Sequence, residues 1–195
     1  MDKAKARPHG FLERLSEKQR ARRVRFGRPG ATSVVQEAFD LLAERLHSRY
    51  LGTTLRTSHA MWLALETARG ELSARGAISA AQSQHLKDCL ARDLDHFAAV
   101  IARGSLPAIE ELRRTAATNG HFGALGYLLE VLDAAGVLVY RVSAAPGSTA
   151  MRRAGELTCA GRLSCAQCDG TTRSACSRVV EPCRECGGRV FSRSP

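Results

Sequence analysis

Two tight cysteine pairs, Cys165-Ala-Gln-Cys168 and Cys183-Arg-Glu-Cys186, constrain this chain more than any other feature. A spacing of two lets one chain reversal aim both sulfurs of a pair at a common point. The 14 residues between the pairs are about what a short hairpin needs to bring the two reversals onto one tetrahedral ion. The residue after each pair has to accept a left-handed backbone, and here Asp169-Gly170 and Gly187-Gly188 stand in those places. This predicts a small β ribbon over residues 155–195, closed by a structural zinc on Cys165, Cys168, Cys183 and Cys186.

Energetics point the same way. The main apolar residues of this stretch are Leu157, Leu163, Val179, Val180, Val190 and Phe191, too few for a core that folds alone. Metal binding contributes roughly 10–16 kcal/mol in comparable peptides. Four thiolates also fill a tetrahedral shell, which leaves no position for an activated water and argues against catalysis at the metal. Other uses of the spacing are another metal, chiefly iron, a pair of disulfides, or a redox dithiol. The last two fit poorly, because no stretch reads as a secretory signal and no strand-then-helix pattern surrounds either pair. Cys159 and Cys176 stand nearby as substitute ligands or reduced neighbours, and Cys89 reads as a small buried apolar residue on a helix.

The run Gly155-Glu-Leu-Thr-Cys-Ala-Gly-Arg-Leu-Ser-Cys165, followed by Val180-Glu-Pro-Cys183-Arg-Glu-Cys186-Gly and Val190-Phe191-Ser-Arg193, resembles the C-terminal ribbon of the uncharacterised bacterial zinc-ribbon-containing family typified by YbeL. Residues 77–94, ending Leu86-Lys-Asp-Cys-Leu-Ala-Arg92-Asp93-Leu94, resemble that family's helical segment. The chain departs from the family pattern at Asp169 and Arg184, where His and Pro are frequent. The resemblance implies a helical part followed by a metal-bearing ribbon, and supplies no activity.

Upstream, the periodicity is helical. Ser33-Val-Val-Gln36 reads as a capping box opening a helix through about Tyr50, with Val34, Val35, Ala38, Leu41, Leu42 and Leu46 along one side. A second helix starts near Ser58 and stops at Gly76, with Met61 and Trp62 read as core. Ser79-Ala-Ala-Gln82 opens the longest, whose Leu86, Leu90, Leu94, Phe97 and Ile101 form a stripe. Asp88, Arg92, Asp93 and Asp95 are expected on its outer face. Shorter helices follow from Leu106-Pro107 to Asn119-Gly120 and from Phe122 to Gly136, and residues 137–142 read as strand or as further helix. The expected fold is mainly α: a helical hairpin or bundle over residues 32–142, a linker over 143–154, then the ribbon. The six histidines, His9, His47, His59, His85, His96 and His121, show no metal-binding helical spacing and read as surface or partly buried side chains.

Charge is unevenly placed. Of the net +10, residues 1–30 carry +7, residues 31–150 carry −1 and residues 151–195 carry +4. Residues 1–31 therefore read as a flexible basic arm in which Arg20, Arg22, Arg23, Arg25 and Arg28 are candidates for phosphate contacts on nucleic acid, or else plain solubilising charge. Arg173, Arg178, Arg184 and Arg189 around the ribbon are either a second such surface or solvated charges. No apolar run approaches a membrane span, and thiols spaced for metal predict a reducing cytoplasm. No phosphate-cradling loop, nucleophile elbow or paired carboxylate marks an enzyme. The expected role is a non-enzymatic adaptor or regulator contacting protein or nucleic acid. The alternatives are a thiol-redox or metal-buffering protein and a homo-oligomeric helical scaffold.

Overall fold

A computed structural model describes residues 34–74, 76, 78–103, 106–118, 123–135 and 151–193. The basic arm with its five candidate arginines, the first capping residue Ser33, the run 137–142 and positions 143–150 of the expected linker lie outside the described residues. The described residues belong to one compact unit.

Helices stand where the periodicity put them: α1 (Val34–Leu51), α2 (Ser58–Ala74), α3 (Ala80–Ala102), α4 (Leu106–Thr118) and α5 (Ala124–Ala135). The capping box of α3 is fully formed. The Ser79 N–H donates to Gln82 Oε1 at 2.8 Å and the Gln82 N–H donates to Ser79 Oγ at 3.2 Å. Helix α1 packs against α2, α5 and α3 and buries Phe39, Leu42, Leu46 and Tyr50 completely. The stripe of α3 is inside through Phe97, with Leu86, Cys89, Leu90, Leu94 and Phe97 inaccessible or nearly so, while Ile101 is only partly buried. Met61 is buried, while Trp62 is only partly covered.

The C-terminal part is a four-stranded antiparallel sheet in the order β1 (Met151–Arg153), β6 (Val190–Arg193), β3 (Gly161–Cys165), β4 (Thr171–Ser174), with a two-stranded piece from β2 (Leu157–Thr158) and β5 (Arg178–Val179). Strand β1 corrects the expected linker, whose positions 151–153 pair with β6. The ribbon has two apolar sides. Leu163, Cys165, Val180 and Phe191 make a small core of its own, whereas Leu157, Cys159 and Ala160 belong to the core of the helices.

What joins the two parts overturns an expectation. Asp93, assigned to the outer face of α3, is completely buried, and so is Arg152 from β1. Asp93 Oδ1 accepts from Arg152 Nε at 3.1 Å and Nη2 at 2.5 Å, from Thr158 Oγ1 at 3.2 Å and from Arg193 Nη1 at 3.4 Å. Oδ2 accepts the Cys159 N–H at 2.6 Å. Arg193 stacks on Phe97, its guanidinium carbon 4.7 Å from the ring centre, and donates to the carbonyl oxygens of Cys159 and Ala160. Burial alone raises the Asp93 carboxyl, but Arg193, Arg152 and the Cys159 N–H outweigh it and hold it below the ordinary carboxylate value. Around this knot, Arg92 pairs with Glu156 at 2.9 Å, and Ser177 donates to Asp40 Oδ1 at 2.8 Å. Asp88 stays exposed as expected, and Asp95 is half-buried.

His96 is also buried, not a surface side chain, and its Nε2 has no partner among the described residues. Burial, with Arg193 and Arg152 close by, lowers its pKa to about 3, against the pull of Asp93 and with a further push from Arg103.

Asp93→Ala strands two buried guanidinium groups and is expected to cost about 3–5 kcal/mol in chemical denaturation, whereas exposed Asp88→Ala stays within about 0.5 kcal/mol of the parent. The buried histidine sets an acid limit. Between about pH 6.5 and 3 the unfolded chain binds a proton at His96 that the native chain does not, so stability falls as pH drops, by up to about 1.4 kcal/mol per pH unit. Urea unfolding at pH 7, 6, 5 and 4 should show a shallower decline for His96→Leu than for the parent, since the other titrating groups are common to both.

Candidate metal centre

Each cysteine pair sits on a turn with the same hydrogen-bond scheme. In the first, the Cys165 N–H donates to the Gly170 carbonyl at 2.8 Å and the Asp169 N–H to the Cys165 carbonyl at 3.1 Å. In the second, the Cys183 N–H donates to the Gly188 carbonyl and the Gly187 N–H to the Cys183 carbonyl, each at 2.8 Å. The residue four beyond the leading cysteine is left-handed in both, Asp169 at φ 56° and Gly187 at φ 73°, as the sequence requires. The strands place the turns. Cys165 ends β3 opposite Phe191 of β6, and the Ala166 N–H donates to the Val190 carbonyl at 2.9 Å.

The four sulfurs of Cys165, Cys168, Cys183 and Cys186 converge, all within 4.8 Å of one another. Cys165 Sγ is 3.6 Å from Cys186 Sγ, and Cys168 Sγ is 3.6 Å from Cys183 Sγ. A disulfide needs about 2.05 Å, whereas a tetrahedron with metal–sulfur arms of about 2.3 Å has edges near 3.8 Å. Backbone N–H groups point at the sulfurs, Gln167 to Cys165 and Gly188 to Cys186, each at 3.4 Å. Those from Cys186 and Glu185 bring Cys183 down to about 7. The Gly170 N–H favours the Cys168 thiolate too, yet the neighbouring Cys186 and Cys183 thiols push it up to about 12. Four thiolates this close would repel one another, and a divalent cation supplies the charge that lets all four ionise. The donor set fits a soft or borderline ion such as zinc.

The other sulfurs lie elsewhere. Cys159 is buried at the junction with α3, Cys176 is exposed between β4 and β5, and Cys89 is buried with Arg92 Nη2 3.4 Å from its sulfur. Burial raises the Cys89 and Cys159 thiols, Cys159 well above the ordinary value. The four ribbon arginines have separate surroundings. Arg173 pairs with Glu111 of α4, Arg178 donates to Thr172 Oγ1 at 2.9 Å, Arg184 reaches Glu181 at 3.4 Å and Arg189 is exposed. Sequence reasoning missed Gln167 and Glu185, which lie 3.7 Å from Cys186 Sγ and Cys168 Sγ respectively. Both occupy the interior x positions of the pairs, and that placement was the available signal.

A helical region carrying paired cysteine turns on antiparallel hairpins defines a ribbon-type metal-binding protein. The family model described as zinc-ribbon containing domain matches residues 51–195, and the chain belongs to that family. Comparison with curated proteins and with solved structures found no match.

The centre is tight at Gly188. A Cβ there would lie 2.6 Å from Gln167 Oε1, 2.9 Å from Cys165 Sγ and 3.1 Å from Cys186 Sγ. Gly188→Ala is expected to lower zinc affinity by about 10–100-fold in a chelator competition. Gly70→Ala, whose Cβ meets nothing within 4 Å, should leave affinity unchanged and stabilise α2 by about 0.5–1 kcal/mol.

Proposed function

We propose that this protein is a non-enzymatic binding module of the reducing cytoplasm, whose ribbon is shaped by one structural zinc on Cys165, Cys168, Cys183 and Cys186. The ribbon and the basic arm contact a protein or nucleic-acid partner. The observation that carries this reading is the set of four converging thiols, which completes a tetrahedral shell and leaves no coordination site for a reacting molecule. Among the described residues no helix is long and apolar enough to cross a membrane.

A second reading, thiol-redox or metal-buffering activity, draws on the exposure of Cys168 and Cys186 and the half-exposure of Cys183. The two separate on freshly purified protein. One tightly held zinc with four protected thiols supports the structural module; reversible oxidation with metal release supports the rival.

Partner class follows from a pull-down at low salt with and without nuclease. A nucleic-acid partner is lost on nuclease treatment, weakens steeply with salt, and is lost on deleting residues 1–30. Binding that survives the deletion unchanged removes the arm from the contact.

A further inference from the structure

A cleft of about 280 Å³ opens between α4 and the β3–β4 hairpin, walled by Glu111, Leu112 and Thr115 on the helix and by Gly161, Arg162 and Arg173 on the strands, with Arg193 beside them. We propose that this cleft binds a compact phosphorylated small molecule, held by Arg162 and Arg173 with Arg193 behind them. The proposal is independent of the adaptor reading.

Charge is the first argument. Among the described residues three guanidinium groups line the cleft against one carboxylate, Glu111, and that carboxylate is already divided between Arg173 and Arg114. Arg193 is buried behind Arg162 and Arg173 and already bonded to Asp93, Thr158 and the Cys159 and Ala160 carbonyls, so it adds positive charge to the wall and no direct contact. The site therefore carries surplus positive charge at the mouth of the cleft, where Arg162 and Arg173 are exposed and can reach an anion from solvent.

Strand register is the second, independent argument. Arg162 and Arg173 stand directly opposite each other on β3 and β4. Like charges at opposed positions destabilise a sheet. Arg173 is partly relieved by Glu111, but Arg162 has no ion-pair or hydrogen-bond partner among the described residues. An oxyanion bridging the two relieves the repulsion, and planar guanidinium forks match phosphate geometry with paired donors.

Shape then selects the class of ligand. The volume falls just below the range for drug-sized small-molecule sites, about 300–1,000 Å³, which limits the ligand to a compact one. Leu112 offers one apolar wall for the body of the ligand. Gly161 makes room for the Arg193 guanidinium against the cleft: a Cβ there would stand 2.7 Å from Arg193 Nη2. Among the described residues no aromatic side chain lines the cleft to stack bases, so a single phosphate on a small body fits better than a nucleic-acid strand.

The test is calorimetric titration of the metal-loaded full chain with inorganic phosphate, adenosine 5′-monophosphate and adenosine. The expected result is saturable one-to-one binding of the first two and none of adenosine. Equal affinities would place recognition in the phosphate alone; tighter binding of the nucleotide would add the Leu112 wall. Arg162→Gln and Arg173→Gln should each weaken binding at least tenfold, and joint replacement of Arg20, Arg22, Arg23, Arg25 and Arg28 by Gln should leave it intact. Arg162→Glu should abolish binding while melting at or above the parent temperature, which separates lost recognition from lost folding. The proposal is overturned if phosphate does not bind the parent, if binding persists in the Arg162 and Arg173 variants, or if it disappears with the arm. A single-stranded oligonucleotide that binds through Arg162 when phosphate does not would overturn it in favour of a nucleic-acid surface.

Discussion

One buried carboxylate holds the two parts of this molecule together. Asp93 sits on the longest helix with no access to water, and its partners come from three places in the ribbon: Arg152 on the first strand, Thr158 and Cys159 after it, and Arg193 on the last. Taking three charged groups out of water costs several kcal/mol per ion, and good geometry with filled hydrogen-bonding sites is what offsets it. Well-packed apolar residues would stabilise such a junction as well or better. What the charges add is selectivity of register, since a ribbon seated one residue out of place would leave a carboxylate or a guanidinium stranded.

The metal turns and the charged knot are mechanically close. On the β3–β6 pair, Leu163 faces Arg193 and Cys165 faces Phe191, so the rung leading to Asp93 and the rung leading to the sulfurs are two residues apart. That is about 7 Å along a strand. The ribbon's own core is Leu163, Cys165, Val180 and Phe191, with Cys183 against it. Such a core is far too small to fix these strands alone. The paired cysteine turns close one end of the pair and Asp93 holds the other, and the helices provide the bulk of the apolar burial.

Much of this was legible beforehand. Repeats of three and four placed all five helices, Ser79 and Gln82 marked the start of α3, and the cysteine spacing with Asp169 and Gly187 marked the turns. The miss at Asp93 is instructive, because the periodicity carried the information. Asp93 lies seven residues after Leu86, three after Leu90 and four before Phe97, within the apolar stripe. Its charge argued for solvent and its phase for the core; phase won because Arg152 and Arg193 were available to neutralise it. His96 stands in the same relation to Cys89 and Val100. Neither partner of Asp93 was readable from local pattern, since pairing across 59 and 100 residues is set by how the ribbon docks. The linker boundary slipped for a similar reason: strand β1 is defined by its pairing with β6, not by its composition.

The distance between Asp93 and Arg193 also has a consequence during synthesis. At about 5–20 residues per second, a carboxylate on the third helix waits roughly 5–20 s for a guanidinium that lies 100 residues further along the chain. Throughout that interval the nascent helices expose the seam meant for the ribbon, so newly made chains pass through a window in which chaperone capture competes with docking.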